Sequence, residues 1–91
     1  MSNETNWTPG PWRKAQTDKG RPKVVDRNGV AVATAGAQPY NHDDFILMSA
    51  APELYEALQL ADAEFSGANI DILALERKIR AALAKARGEQ P

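Results

Sequence analysis

Three arginines, Arg77, Arg80 and Arg87, recur with Ala84 at three- and four-residue steps. On a helix that spacing places them on one side, away from Ile72, Leu75, Ile79 and Leu83. A guanidinium presents a planar fork of donors that matches phosphate, so the stripe has the chemistry of a phosphate comb. Trp12 and Tyr40 supply flat rings on which a base can stack. Arginines and rings together suit a phosphate-bearing small molecule held between subunits, where symmetry repeats the stripe around a shared pocket. The same side chains also fit plainer roles. The arginines suit a solvated face on which Glu76 and Arg80 pair at i,i+4, and Trp7 and Trp12 suit packing over a sheet or across an interface.

Other reactive residue types lack the company that chemistry requires. His42 is the one histidine, next to Asp43 and Asp44, and three adjacent residues do not easily converge on one metal ion. It is expected in a loop or a cap. Ser49 has no second histidine to activate it and falls within a helical pattern, which leaves nucleophilic catalysis without support. Cysteine is absent, so disulfides and thiolate metal sites are excluded. These residues point to a protein that is not an enzyme and carries no cofactor.

Charge is laid out in blocks. Arg13, Lys14, Lys19, Arg21, Lys23 and Arg27 crowd the first third, acids alone occupy the stretch from His42 to Asp71, and Arg77, Lys78, Arg80, Lys85 and Arg87 follow. Acidic and basic segments are expected to face one another within or between subunits, with a small-anion site as the sharper alternative. A net charge of −1 and an acidic centre lack the broad basic face used on duplex DNA. No apolar run approaches a membrane span, and no charged-then-apolar leader opens the chain. A cytoplasmic protein with no membrane partner is expected.

The elements that must position these residues read as one domain over residues 1–91. A chain of this length buries only about 60–65% of the surface its unfolded form exposes, and without disulfide or metal it gains burial by oligomerising. A homo-oligomer assembled through its helices is expected. Residues 1–6 are polar and are expected to form a flexible N-terminus. Residues 7–41 form the β part: a rigid bend at Trp7-Thr8-Pro9-Gly10-Pro11-Trp12, strands near 12–16, 23–26 and 30–34, and turns at Thr17–Pro22 and at Asn28-Gly29, a pair that suits a tight hairpin.

Residues 43–65 form a helix opened by Asp43 or Asp44 as cap, with Leu47, Ala50, Ala51, Leu54, Leu58, Ala61 and Phe65 as one apolar stripe. Pro52 lies inside that stripe and either kinks the helix or breaks it, with a new helix restarting there. Residues 69–87 form the next helix, capped by Asn69 or Asp71 and stopped by Gly88. The fold class is α+β, an N-terminal three-stranded antiparallel β-sheet followed by a two-helix antiparallel hairpin packed on it.

Two segments carry a resemblance. Thr8-Pro9-Gly10-Pro11-Trp12, followed by Asp44-Phe45-Ile46-Leu47-Met48-Ser49-Ala50-Ala51-Pro52-Glu53-Leu54-Tyr55-Glu56-Ala57-Leu58, is similar to a family of small, mostly uncharacterised proteins of tailed phages and prophages. That family typically reads Thr-Pro-Gly-Pro-Trp and then Asn-Ala-x-Leu-Ile-Ala-Ala-Ala-Pro-Glu-Leu-Leu-Glu-Ala-Leu. This chain departs from it with Asp44 at the asparagine position and with Met48 and Tyr55 in place of aliphatic residues. The order of sheet then helices also resembles phage sponge proteins that sequester nucleotide messengers of bacterial immunity, notably the first Thoeris anti-defence type.

The resemblance implies phage counter-defence by stoichiometric binding in the cytoplasm of an infected or lysogenic bacterium. One form is a homo-oligomer that traps a cyclic nucleotide or ADP-ribose-type ligand, with Trp12, Tyr40, Arg77, Arg80 and Arg87 as the binding residues. The other is an anti-CRISPR-like inhibitor that presents its acidic helix or apolar helix faces to a host defence protein. A phage accessory protein with an assembly or regulatory role is the third alternative.

Overall fold

The computed structural model of the chain describes residues 6–67 and 71–89. Three short strands come first, β1 (Arg13–Gln16), β2 (Pro22–Val25) and β3 (Ala31–Thr34), and three helices follow, α1 (His42–Ser49), α2 (Ala51–Phe65) and α3 (Ile72–Ala86). The strands make one antiparallel sheet in the order β1-β2-β3. The α+β class and the order of sheet then helices are those expected from the sequence. The flexible end expected at residues 1–6 lies, except for Asn6, outside the described residues.

Both hairpins close through the same local device. Asp26 N–H donates to Val30 O at 2.9 Å and Gly29 N–H to Asp26 O at 3.0 Å, which makes a three-residue loop. Among the described residues only glycines have positive φ, with Gly29 at +84°, so Asn28 does not enter the left-handed region that a two-residue Asn-Gly turn demands. The Asp26 carboxylate accepts from the N–H groups of both Asn28 and Val30 at 2.9 Å, and this favours the longer loop. At Thr17–Arg21 the pattern repeats. Thr17 N–H donates to Arg21 O at 2.8 Å, and Arg21 N–H donates to Thr17 Oγ1 at 3.1 Å.

The stripe from 43 to 65 is broken, not kinked. Pro52 has no N–H to donate to Met48 O, and Ala50, at φ −90° and ψ 0°, turns its N–H back to Leu47 O at 3.0 Å, ending α1. The next helix starts at Ala51 with Pro52 in its first turn, where the missing donor costs nothing. The opening cap of α1 is Asn41, whose side chain accepts from Asp43 N–H at 2.7 Å. Asp43 and Asp44, expected as caps, sit instead in the first turn, where their charge favours the positive end of the helix dipole.

The α3 helix is capped by Asp71, which accepts from Leu73 and Ala74 N–H at 3.0 and 3.2 Å. The alternative cap, Asn69, lies outside the described residues. At the other end Gly88 takes φ +76°, and Glu89 N–H returns to Ala84 O at 2.8 Å, a Schellman closure.

The expected layering needs one correction. The sheet is covered by α1, not by a long helical hairpin; no described Cα of α2 or α3 comes within 8 Å of a strand residue. Helix α1 lies between the sheet and α3, and α2 packs along α3 beyond it. Because the break at Ala50 separates the stripe into two axes, only its first part is available to the sheet. Val24, Val25 and Pro22 are the largest fully buried side chains, and the helical contacts bury mainly Ala50, Ala57, Leu75 and Ala82. Small residues let the helices approach closely, which leaves a thin core.

No helix among the described residues is long and apolar enough to cross a membrane.

Candidate functional site

Proline and glycine shape the bend before β1 so that it lies against the start of α2. A Cβ placed on Gly10 would sit 2.7 Å from Pro52 Cβ, so the backbone approaches the proline ring more closely than any side chain permits. Trp12 Nε1 donates to Thr8 O at 3.0 Å, closing the bend on itself. Lys85 of α3 reaches in from the other side, donating from Nζ to Trp12 O at 2.7 Å and to Glu53 Oε2 at 3.0 Å. One ammonium therefore ties the bend, α2 and α3 together.

This arrangement opens an aromatic cleft. Trp7 meets Tyr55 edge to face, with ring centroids 4.8 Å apart and planes at 83°, a geometry favoured by the ring quadrupoles. Trp7, Trp12, Tyr55, Ala51 and Pro52 line a cavity of about 340 Å3, within the range of small-ligand and side-chain pockets. Trp7 and Tyr55 remain 45% and 38% exposed, so both rings are accessible. The surface continues past Trp7, Gly10 and Tyr55 to Glu56 and Gln59, then along α2 to Asp62, facing Lys78 of α3. Carboxylates thus flank the cleft, and no arginine or lysine lines its aromatic part.

Replacing Gly10 with alanine forces the bend away from Pro52. The expected result is a loss of about 1 kcal/mol in unfolding free energy, together with a red shift of tryptophan emission as the cleft opens, read in one urea titration followed by fluorescence.

Of the five binding residues expected from the sequence, the structure places Trp12 in the cleft and Tyr40, Arg77, Arg80 and Arg87 elsewhere. Tyr40 packs its ring on His42, with centroids 5.6 Å apart. Arg77, Arg80 and Arg87 lie exposed on α3 and just past its end. Arg80 pairs with Glu76 at 2.9 Å, and Arg87 pairs with Glu89 at 3.0 Å. The hydrogen bond and charge of Arg87 hold the Glu89 carboxyl below its ordinary range, and the same pair raises Arg87. Both groups lie in water, where such pairs contribute little. Arg77 forms no ion pair with a described residue.

Sequence reasoning missed Tyr55, Pro52 and the Lys85–Glu53 pair as parts of a site. Tyr55 did carry a signal, being the lone aromatic in the first half of a helix built from alanine, leucine and acids. Ser49 Oγ is spent on Ile46 O at 2.6 Å. No group of three or more His, Asp or Glu side chains that could hold a metal occurs among the described residues.

Compared with known proteins, the family model described as Salmonella phage P22 protein Y8K6 matches residues 1–90 of the chain. No curated protein and no solved structure matches it.

Proposed function

The chain belongs to the phage protein family described as Salmonella phage P22 protein Y8K6, and from that premise we propose that it serves counter-defence by stoichiometric binding, without catalysis, in the cytoplasm of the infected or lysogenic host. Its target is a host defence protein, a segment of which enters the aromatic cleft. One observation carries this reading: the cleft is walled by Trp7, Trp12 and Tyr55 and continues into a surface bearing Glu56 and Asp62. Exposed aromatic anchors with carboxylates beside them suit a peptide segment carrying apolar and basic side chains. A phosphate group in the aromatic part would find no cation among the residues lining it and the Glu56 carboxylate beside it.

Sequestration of a nucleotide-type signal is the second reading, favoured by the exposed Arg77, which forms no ion pair with a described residue and lies on the same side of α3 as Arg80 and Arg87. It requires an oligomer in which a neighbour's arginines approach an aromatic ring.

Affinity capture from infected host lysate, with the wild type beside Trp7→Ala, Glu56→Lys and Arg77→Glu/Arg80→Glu, separates the two. Under the first reading a host protein is retained by the wild type and by the arginine variant. Trp7→Ala and Glu56→Lys each lower its recovery at least about tenfold, the effect of losing an interface anchor. A bait that retains no host protein but releases a phosphorylated nucleotide on denaturation, lost only in the arginine variant, would shift the assignment to the nucleotide.

A further inference from the structure

The aromatic cleft adjoins a second compartment of different chemistry, and Trp7, Pro52 and Tyr55 line both. On one side of these three residues Trp12 and Ala51 complete an almost wholly apolar cavity of about 340 Å3. On the other, Gly10, Glu56 and Gln59 complete a more polar one of about 250 Å3. Glu56 is exposed and forms no ion pair with a described residue. Lys78 shares with Glu56 the groove farther along α2, but it does not line this compartment and forms no ion pair with a described residue. The carboxylate beside the rings is therefore uncompensated at contact range.

Resting on the reading that a segment of a partner protein enters the cleft, we propose that the compartment beside Glu56 takes an arginine side chain of that segment, next to an apolar side chain seated among Trp7, Trp12 and Tyr55. Ring faces carry the negative part of the aromatic quadrupole, so rings and carboxylate attract a cation together. The edge-to-face contact of Trp7 with Tyr55 leaves ring surface open, with the two residues 45% and 38% exposed. A guanidinium can lie flat on such a ring while its edge forks onto a carboxylate, whereas an ammonium is a strongly hydrated point charge. The Gln59 amide oxygen adds a further acceptor for its donors. A quaternary ammonium has no N–H for either group and would leave the apolar cavity empty.

Because the two compartments share a wall, their occupants must be neighbours on one side of the partner chain. In an extended segment these are residues two apart, and in a helix three or four apart. The recognised feature is thus an apolar residue and an arginine at one of those separations.

The test is selection of a displayed random peptide library on the immobilised full-length protein, as wild type, Glu56→Gln and Trp7→Ala, followed by Kd measurements on the leading synthetic peptide. The wild type is expected to enrich an arginine paired with an apolar residue at such a separation. Arginine→alanine in the peptide and Glu56→Gln in the protein are each expected to weaken binding at least about fivefold. Combined, they are expected to cost little more than either alone, because they remove two ends of one contact. Enriched peptides with lysine or no base in that place, or losses that multiply in the combination, would overturn the arginine assignment and leave the protein partner in the cleft standing. No enrichment, or equal enrichment by Trp7→Ala, would overturn both.

Discussion

Replacing Lys85 with methionine is expected to lower the unfolding free energy by about 2 kcal/mol, a drop of roughly 8–16 °C in Tm for a domain of this size. The ammonium is the single donor shared by Trp12 O and Glu53 Oε2, at 2.7 and 3.0 Å. Methionine keeps the apolar stem and removes only the donors. Glu53 is left with both oxygens unsatisfied, since Oε1 is already buried without a partner among the described residues.

The Lys85 and Glu53 side chains are 19% and 30% exposed, so solvent screens part of the loss that a deeply buried pair would show. Arg80→Ala is the control. It removes an i,i+4 pair whose side chains are 78% and 52% exposed, and it is expected to change stability by less than about 0.5 kcal/mol. The double change Lys85→Met/Glu53→Met is expected to recover part of the loss, because removing both charges leaves no orphan. Urea titrations of the four proteins decide the matter, and a Lys85→Met value within about 0.5 kcal/mol of wild type would contradict the role assigned to the tether.

Ala50→Leu is expected to cost more, about 3 kcal/mol. Ala50 is fully buried between α1 and α2, beside buried Ser49 and Pro52. Its N–H and C=O are both committed, the first to Leu47 O and the second to Leu54 N–H. The junction therefore cannot slide to admit three more carbons without shifting Pro52, which already touches the Gly10 backbone. The change should appear twice, as a lower urea midpoint and as altered tryptophan emission, because Ala51 and Pro52 form one wall of the cleft. A fully stable Ala50→Leu protein would mean that the two helices meet loosely.

The strands were legible because β-branched Val24-Val25 and Val30–Thr34 lie between glycine turns, and this local pattern needs no tertiary information. The course of the chain at Pro52 was not. A proline inside an apolar stripe fits a kink and a restart equally well, and the choice depends on Ala50 turning back on Leu47, a backbone event with no residue signature. The cap of α1 was ambiguous for a similar reason. Asn41, Asp43 and Asp44 have nearly equal capping preference, and the acids took the dipole position next to it.

Layering was the largest miss. A continuous stripe does not say which part meets the sheet, so the exposure of Leu58 and Phe65 became visible only once α1 was seen to cover it alone.

The candidate site divides in the same way. Trp12 could be named from its rigid bend, whereas Tyr55 and Lys85 reach it from positions 43 and 73 residues further along the chain. The alternation of charge blocks did foretell that the acidic centre would meet the basic end, and Glu53–Lys85 is that meeting within one chain. It did not foretell that the arginines would stand apart from the cleft, none of them among its lining residues. Side-chain direction on a helix is readable from spacing, but the placement of one helix against a loop is a tertiary fact.

On the proposed function, the aromatic cleft holds a segment of a host protein. Native mass spectrometry of the chain purified from infected cells, repeated after denaturation with the small-molecule fraction retained, tests it most directly. The expected result is a complex whose mass exceeds that of the chain, alone or as a homo-oligomer, by a host polypeptide, absent when Trp7→Ala is purified in the same way. A chain that carries only a phosphorylated nucleotide, or a host complex unaffected by Trp7→Ala, would contradict it.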